Sequence, residues 1–410
     1  MTAIASTQEQ KASSMSLSDE GPSEPSADSQ CLAVNQITLT DFRNYTYAKL
    51  DLDPGLVVLV GENGAGKTNL LEAVSLLAPG RGLRSAPFGE LANARGKGGW
   101  AVAAKISGPQ GISQIGTGMD PPQQSDGKPA ARQVRIDESP VRGSGALGEL
   151  VRILWLTPAM DRLFSGPASD RRRFLDRMVL AIDPEHGQRA NSFEKAMRER
   201  NRLLSENVSD PSWLDAVELQ MAQAGTALAA ARAEAIGILS DLIVSSSANH
   251  GDVFPRADIS LEGELEQRLK LISATEVEDE YCKILYDSRN RDQAAGRTLN
   301  GPHRSDLIVY HNVKDTLAKQ CSTGEQKALL ISIILAQASI VQKMFEGFAP
   351  LLLLDEIAAH LDAARRAALF GILSEMGVQA WMTGTDQGLF EISDLKAQIY
   401  NVDNGDIIEV

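Results

Sequence analysis

The segment Gly61-Glu62-Asn63-Gly64-Ala65-Gly66-Lys67-Thr68 leaves this chain of 410 residues few folds to choose from. It satisfies the spacing G-x-x-x-x-G-K-[ST] and lies between the apolar run Leu56 to Val60, which reads as a strand, and Asn69 to Leu77, which reads as a helix. Glycines let consecutive backbone N–H groups curl around phosphate oxygens without Cβ clashes, and the positive end of the following helix points at the same place. In that setting Lys67 reaches the β and γ phosphates and Thr68 ligates Mg²⁺. An α/β fold that binds a nucleotide follows.

Two further segments complete the chemistry. Leu351 to Leu354 is long enough for one buried strand and ends in Asp355 and Glu356, at the edge that faces the phosphate loop in such sheets. Asp355 can hold the metal through its water shell, and Glu356 can polarise the water that attacks the γ-phosphate. Cys321-Ser322-Thr323-Gly324-Glu325-Gln326-Lys327 precedes the helical run Ala328 to Val341. A plain helix cap explains Ser322, but small residues and exposed N–H groups at a helix start also make a second phosphate receptor. Two receptors on one chain point to two chains sharing one nucleotide.

Between these motifs, Gln36 to Leu39, Trp100 to Ile106, Gln133 to Ile136, Ile153 to Leu156, Leu307 to Tyr310, Gln379 to Thr383 and Gln398 to Val402 read as strands. Ser107 to Ala131, rich in Gly, Pro and Gln, reads as a surface loop. From Ser169 to Ser247 the strands stop and helical spacing takes over, in Ser192 to Leu204 and the alanine-rich Trp213 to Val244. The chain returns to α/β after Gly296. Residues 1–30 hold five acids and one lysine and read as a disordered tail without the pattern of a secretory signal.

Taken together, the phosphate loop, Ser322-Thr323-Gly324-Glu325-Gln326, the Leu351 to Glu356 strand and His360-Leu361-Asp362 resemble the ATP-binding-cassette ATPases of the SMC-like kind. Within that group the chain resembles the RecF family. The closer likeness rests on Thr38 to Tyr45, on Gly166-Pro167 with Arg171 to Asp176, on Arg200 to Leu204, and on Gly296 to Leu299 leading to Gly301-Pro302-His303-Arg304. These motifs span the chain from about Leu32 to its end. The resemblance implies a P-loop ATPase head from residues 31–168 and 296–410, with a helical arm inserted at 169–295. It also implies a slow ATPase using ATP and Mg²⁺, in which ATP clamps two heads together. Ser322, Thr323, Gly324, Glu325 and Gln326 of one chain would close over the phosphates held by the other, with Asp362 in the loop crossing that interface. Arg43 and Asn44 would lie near the nucleotide, although an Arg buried against an acid accounts for Arg43 as well. The partners implied are gapped or duplex DNA, RecR, and through it RecO and the loading of RecA in recombinational repair and replication restart. Two positions depart from the family pattern. Ser305 stands before Asp306 where a second acid is common, and Thr385 stands where many such ATPases carry a histidine.

Charge limits where DNA can be met. The chain carries 40 Lys and Arg against 54 Asp and Glu, a net −14, so no basic coat covers it. Ser169 to Leu204 nevertheless holds nine basic and six acidic residues. Arg171, Arg172, Arg173, Arg200 and Arg202 are the candidates there for contacts to DNA phosphates, unless they pair with acids nearby in sequence. Three cysteines, far apart, argue for a reducing cytoplasm and against a disulfide framework or zinc site, and the five histidines show no metal-ligand spacing. No uninterrupted apolar run approaches the roughly 20 residues that span a bilayer. The ATPase subunit of a membrane transporter and a nucleotide-regulated scaffold with little hydrolysis are the alternative readings.

Overall fold

The computed structural model describes residues 31–122, 131–206, 210–250, 253–390 and 396–410, and the acidic tail read at 1–30 lies outside them. Strands β1 (Ala33–Phe42) and β2 (Tyr45–Asp51) form a hairpin, and β3 (Leu56–Val60) leads through the phosphate loop into α1 (Lys67–Ser75). There follow β4 (Trp100–Gly108), β5 (Gly111–Met119), β6 (Gln133–Ile136), β7 (Ser139–Val141) and β8 (Ile153–Leu156). The middle of the chain carries α2 (Ala168–Ile182), α3 (His186–Ser205), α4 (Pro211–His250), β9 (Ala257–Glu262), α5 (Glu264–Arg268), α6 (Ala274–Asp287) and α7 (Arg289–Ala295). The last part runs β10 (Asp306–His311), β11 (Thr316–Leu317), α8 (Thr323–Met344), β12 (Leu351–Leu354), α9 (Ala363–Glu375), β13 (Ala380–Gly384), β14 (Ala397–Asp403) and β15 (Asp406–Glu409).

Among the described residues the strands form three sheets. The central one has the order β15-β14-β3-β13-β12-β8, parallel throughout except for β15. Every residue of β3, β8, β12 and β13 is buried, which is why these segments read as unbroken apolar runs rather than alternating ones. Each fully buried Val or Leu side chain contributes roughly 1.5–3 kcal/mol, so such runs cannot stay at an edge. The second sheet, β2-β1-β4-β5-β6-β7, is antiparallel. Its β4 alternates as expected for one wet face, with Trp100, Val102, Ala104 and Ile106 turned inward.

One expectation is overturned. The stretch read as a surface loop from Ser107 to Ala131 contains β5, paired with β4 from Trp100↔Met119 to Gly108↔Gly111. Glycines hide the strand in the sequence, yet they serve it. A Cβ on Gly118 would stand 2.5 Å from the Trp100 carbonyl oxygen, so only a glycine lets the two backbones close there. Residues 123–130 of that stretch lie outside the described residues.

Helix α8 starts with a capping box, in which Ser322 Oγ accepts from the Glu325 N–H and Glu325 accepts from the Ser322 N–H. It is long and apolar enough by composition to cross a bilayer, but 67% of its most apolar window is buried inside the protein, as in a core helix. The segment 169–295 does not pack as one block. Phe174, Leu175, Met178 and Val179 of α2 and Leu239 and Ile243 of α4 join the core of the sheets, and β9 pairs with β10 from beyond Gly296. A separate core forms from Phe193 and Ala196 of α3, Met221, Ala222, Leu228 and Ala229 of α4, Leu265 of α5, and Val277, Tyr281 and Leu285 of α6. Helix α4 belongs to both cores and ties them together.

Candidate active site

The phosphate loop begins where β3 ends. Gly61, Gly64 and Gly66 take φ of 149°, 87° and 124°, a region that side chains disfavour. At Gly61 a Cβ would meet the Val402 carbonyl oxygen at 2.2 Å, and at Gly66 it would meet Asn44 Nδ2 at 2.5 Å and Tyr45 Oη at 2.8 Å. The loop is therefore pressed between β14 and the β1–β2 turn. From that turn Asn44 Nδ2 donates to the Ala65 carbonyl (3.0 Å) and Tyr45 Oη to the Gly66 carbonyl (3.0 Å), while Asn69 Nδ2 donates to Asn44 Oδ1 (2.7 Å). Asn44 holds the loop in shape. Glu62, Asn63 and Gly64 at its crest are exposed.

Arg43 pairs with an acid. Its Nε and Nη2 donate to the Glu72 carboxylate at 2.8 and 3.0 Å, and its Nη1 donates to the Glu90 carbonyl. Glu72 on α1 is fully buried, so the guanidinium is committed to neutralising it. Arg43 sits at φ 53° in the tight turn between β1 and β2. The pair of a partly exposed Arg43 with buried Glu72 is observed, beside an Asn44 that touches the phosphate loop.

At the C-terminal edge of the central sheet the functional side chains converge. Lys67, 5% exposed, donates from Nζ to the Gly61 and Glu62 carbonyls at 2.6 and 2.8 Å. Burial pushes its ammonium pKa down, and the nearby charges of Glu356 and Asp355 oppose that shift. Thr68 Oγ1 donates to Asp355 at 3.0 and 3.2 Å from its two oxygens. Glu356, the next residue, is half-buried at φ 52°. Because Thr68 gives its proton to Asp355, its oxygen lone pairs stay free to face a cation, and the hard hydroxyl and carboxylate oxygens suit Mg²⁺.

A residue that sequence reading passed over joins these two acids. Thr383, at the end of β13 and fully buried, donates from Oγ1 to Asp355 Oδ1 (2.8 Å) and accepts from the Glu356 N–H (2.8 Å). Strand β13 lies between β3 and β12, so its last side chains fall between phosphate loop and acidic strand. A polar residue closing the apolar run Ala380-Trp381-Met382 was a visible signal, but the strand order was not. The following Thr385 is exposed.

Ser322, Thr323 and Gly324 form an exposed turn at the start of α8. Lys314 pairs with Glu325, and this contact, with the Ser322 N–H, lowers the Glu325 pKa to about 2. Gln326 is buried and donates to the Cys321 carbonyl, so it supports the turn from behind. Asp362 caps α9 by accepting from the Arg365 N–H (2.8 Å).

The arginines read as DNA contacts separate into distinct groups. Arg200 is a correction: it is fully buried, donating to Glu218 (2.9 Å), Asp292 (2.8 Å), Thr298 (2.9 Å) and the Leu285 carbonyl (2.7 Å). It cannot reach DNA. Arg202 is half-exposed but lies between Glu199 and Glu206, which cancel its charge. Arg171 makes a two-pronged pair with Asp306 at 2.7 Å on both arms. Arg172 gives one nitrogen to the Ser305 carbonyl (2.8 Å), and Arg173 is exposed beside Asp170. All three cysteines are free thiols, and no cluster of three or more His, Cys, Asp or Glu able to hold a metal occurs among the described residues.

A family model described as RecF/RecN/SMC N terminal domain matches residues 33–407. The DNA replication and repair protein RecF of Mesorhizobium japonicum is 53% identical over 374 residues, 91% of this chain and 97% of that protein. The chain belongs to the RecF family. The RecF of Agrobacterium fabrum is 51% identical over 377 residues, covering 92% of this chain and 98% of its own. Two solved structures, of the recombination mediator protein RecF with ATPrS and with ATP in the RecFOR pathway, match at TM-scores of 0.80 and 0.78 with 20% identity. They cover 93% of this chain and 99% and 98% of theirs, which extends the RecF fold over both cores described above. Membership of the RecF family removes the transporter-subunit reading.

Proposed function

We propose that this RecF-family chain is a slow, ATP-driven switch that dimerises on ATP and binds gapped or duplex DNA in the cytoplasm. It would act in recombinational repair and replication restart with RecR and RecO to promote RecA loading. The observation that carries the ATPase reading is the cluster of Lys67, Thr68, Asp355 and Glu356 at one sheet edge, joined by Thr383. The names of the relatives and of the matching solved structures support the pathway.

In this reading the loop N–H groups and Lys67 bind the β and γ phosphates. Thr68 and Asp355 would hold Mg²⁺, which when bound supplies positive charge against the triphosphate. Glu356 accepts the proton of the attacking water, and Thr383 keeps the carboxylate of Asp355 and the backbone of Glu356 in fixed relation. The Thr383→Val variant keeps the shape and removes the hydroxyl. It is expected to lower kcat about 10–100-fold with ATP affinity little changed, whereas Thr383→Ser should stay near the parent. Steady-state kinetics on both variants check this; equal losses in Val and Ser would show that packing rather than the hydroxyl matters.

The exposed Ser322–Gly324 turn, beginning an N-capped helix, fits a receptor that closes over phosphates held by a second chain. Ser322→Arg should therefore bind ATP as the parent does and fail to dimerise. Sedimentation of parent and variant with and without ATP and a gapped duplex tests nucleotide, self-association and DNA together. A Ser322→Arg chain that sediments as a dimer in ATP, as the parent does, would refute the shared site.

A further inference from the structure

Away from the phosphate loop, a cavity of about 440 Å³ opens where α2, α3, α4 and the turn at 302–304 meet. Four guanidinium groups line it, those of Arg172, Arg173, Arg198 and Arg232, against the two carboxylates of Asp176 and Glu194. In a chain of net charge −14 this is a local reversal of sign, and it is concave, so the field is focused rather than spread.

The arginines are not equally engaged. Arg232 is buried and held by both oxygens of Asp176 (2.7 and 2.8 Å) and by the Pro302 carbonyl, so it forms a fixed wall with its charge met. Arg198 is exposed and makes no hydrogen bond or ion pair among the described residues. Arg172 uses a single nitrogen on the Ser305 carbonyl. Burial lowers its pKa, and the charges of Arg232 and Arg304 add to that effect while those of Asp306 and Asp176 oppose it. Arg173 is exposed and paired with Asp170 at the rim. Ser169 in the first turn of α2 also lines the cavity. The remaining wall is built by Ala190, Phe193, Met197 and Leu228, with the His303 ring against Phe193.

We propose that this cavity is a second nucleotide site, taking a nucleoside 5′-phosphate with its phosphate toward Arg172, Arg173 and Arg198 and its base and sugar against the wall of Phe193 and Met197. The volume suits a ligand of that size. Guanidinium groups match a phosphate through paired N–H donors. A free nucleotide and a nucleotide within a DNA strand present the same chemistry, so either can be the source; the DNA source rests on the function proposed above.

Calorimetric titration of the full chain with thymidine 5′-phosphate, which lacks the β and γ phosphates that Lys67 grips, reads the site directly. Thymidine without phosphate is the control. Arg198→Glu and, separately, Arg173→Glu reverse exposed charges at the rim, and both should fold as the parent does. Each is expected to weaken thymidine 5′-phosphate binding at least tenfold, while thymidine binds none of the three chains. If gapped-duplex affinity falls by a similar factor and thymidine 5′-phosphate competes with the duplex, the source is DNA; if duplex affinity is unchanged, the source is the free nucleotide. A parent chain that binds no gapped duplex at all strikes the DNA reading and leaves the free-nucleotide site standing. No saturable binding of thymidine 5′-phosphate to the parent, or equal binding to parent and both variants, overturns the proposal.

Discussion

Replacing Glu356 by Gln is expected to lower kcat for ATP hydrolysis about 10²–10⁴-fold, the range for loss of a general base, while ATP binding persists. The two side chains are nearly the same size, so the substitution removes only the ability to accept a proton. The backbone of Glu356 stays where it is, because Thr383 holds its N–H from the neighbouring strand at 2.8 Å. Lys67, Thr68 and Asp355 keep their contacts with the loop and with each other. A chain that binds ATP but cannot discharge it should accumulate as an ATP-bound dimer. Turnover assays together with sedimentation in ATP read both halves of that outcome. Unchanged turnover would transfer the proton-accepting role away from Glu356 and favour a scaffold in which hydrolysis is incidental.

The second large effect is on stability. Arg200→Ala is expected to cost about 3–5 kcal/mol, because it leaves two buried carboxylates without the cation between them. Arg200 joins α3 to Glu218 of α4 and to Asp292 of α7, and it also donates to Thr298 and the Leu285 carbonyl. Glu218 keeps Arg289, and Asp292 keeps the Ser288 hydroxyl and the Leu299 N–H, so the loss is partial rather than complete. Denaturant unfolding followed by circular dichroism gives the magnitude. At temperatures where the variant is folded, its DNA affinity should match the parent, since the side chain has no exposure. A selective loss of DNA binding with stability unchanged would reinstate Arg200 as a contact residue.

Arg200 also shows where sequence reading stops. Within Ser169 to Leu204 all the arginines look alike, and spacing within one helix pairs Arg202 with Glu199 and Glu206 correctly. Nothing local tells that Arg200 turns inward, because its partners Glu218 and Asp292 come from other helices, up to 92 positions away. The same limit hid Arg198, whose interest lies in having no partner. Strands were legible where burial on both faces makes the apolar run continuous, as in β3, β12 and β13. They were illegible where glycine replaces side chains, as in β5, because alternation is then lost.

From the sequence alone came the local chemistry: a glycine loop between strand and helix, an acidic pair ending an apolar strand, and a capped helix start, each a short-range matter of torsion and hydrogen-bonding capacity. Only the tertiary structure decided which of these meet. Thr68 and Asp355 are 287 positions apart, and their contact depends on the order β3-β13-β12, which also inserts Thr383 between them. Strand order follows from how whole faces are buried against helices. That is a property of the packed chain, and no window of neighbouring residues contains it.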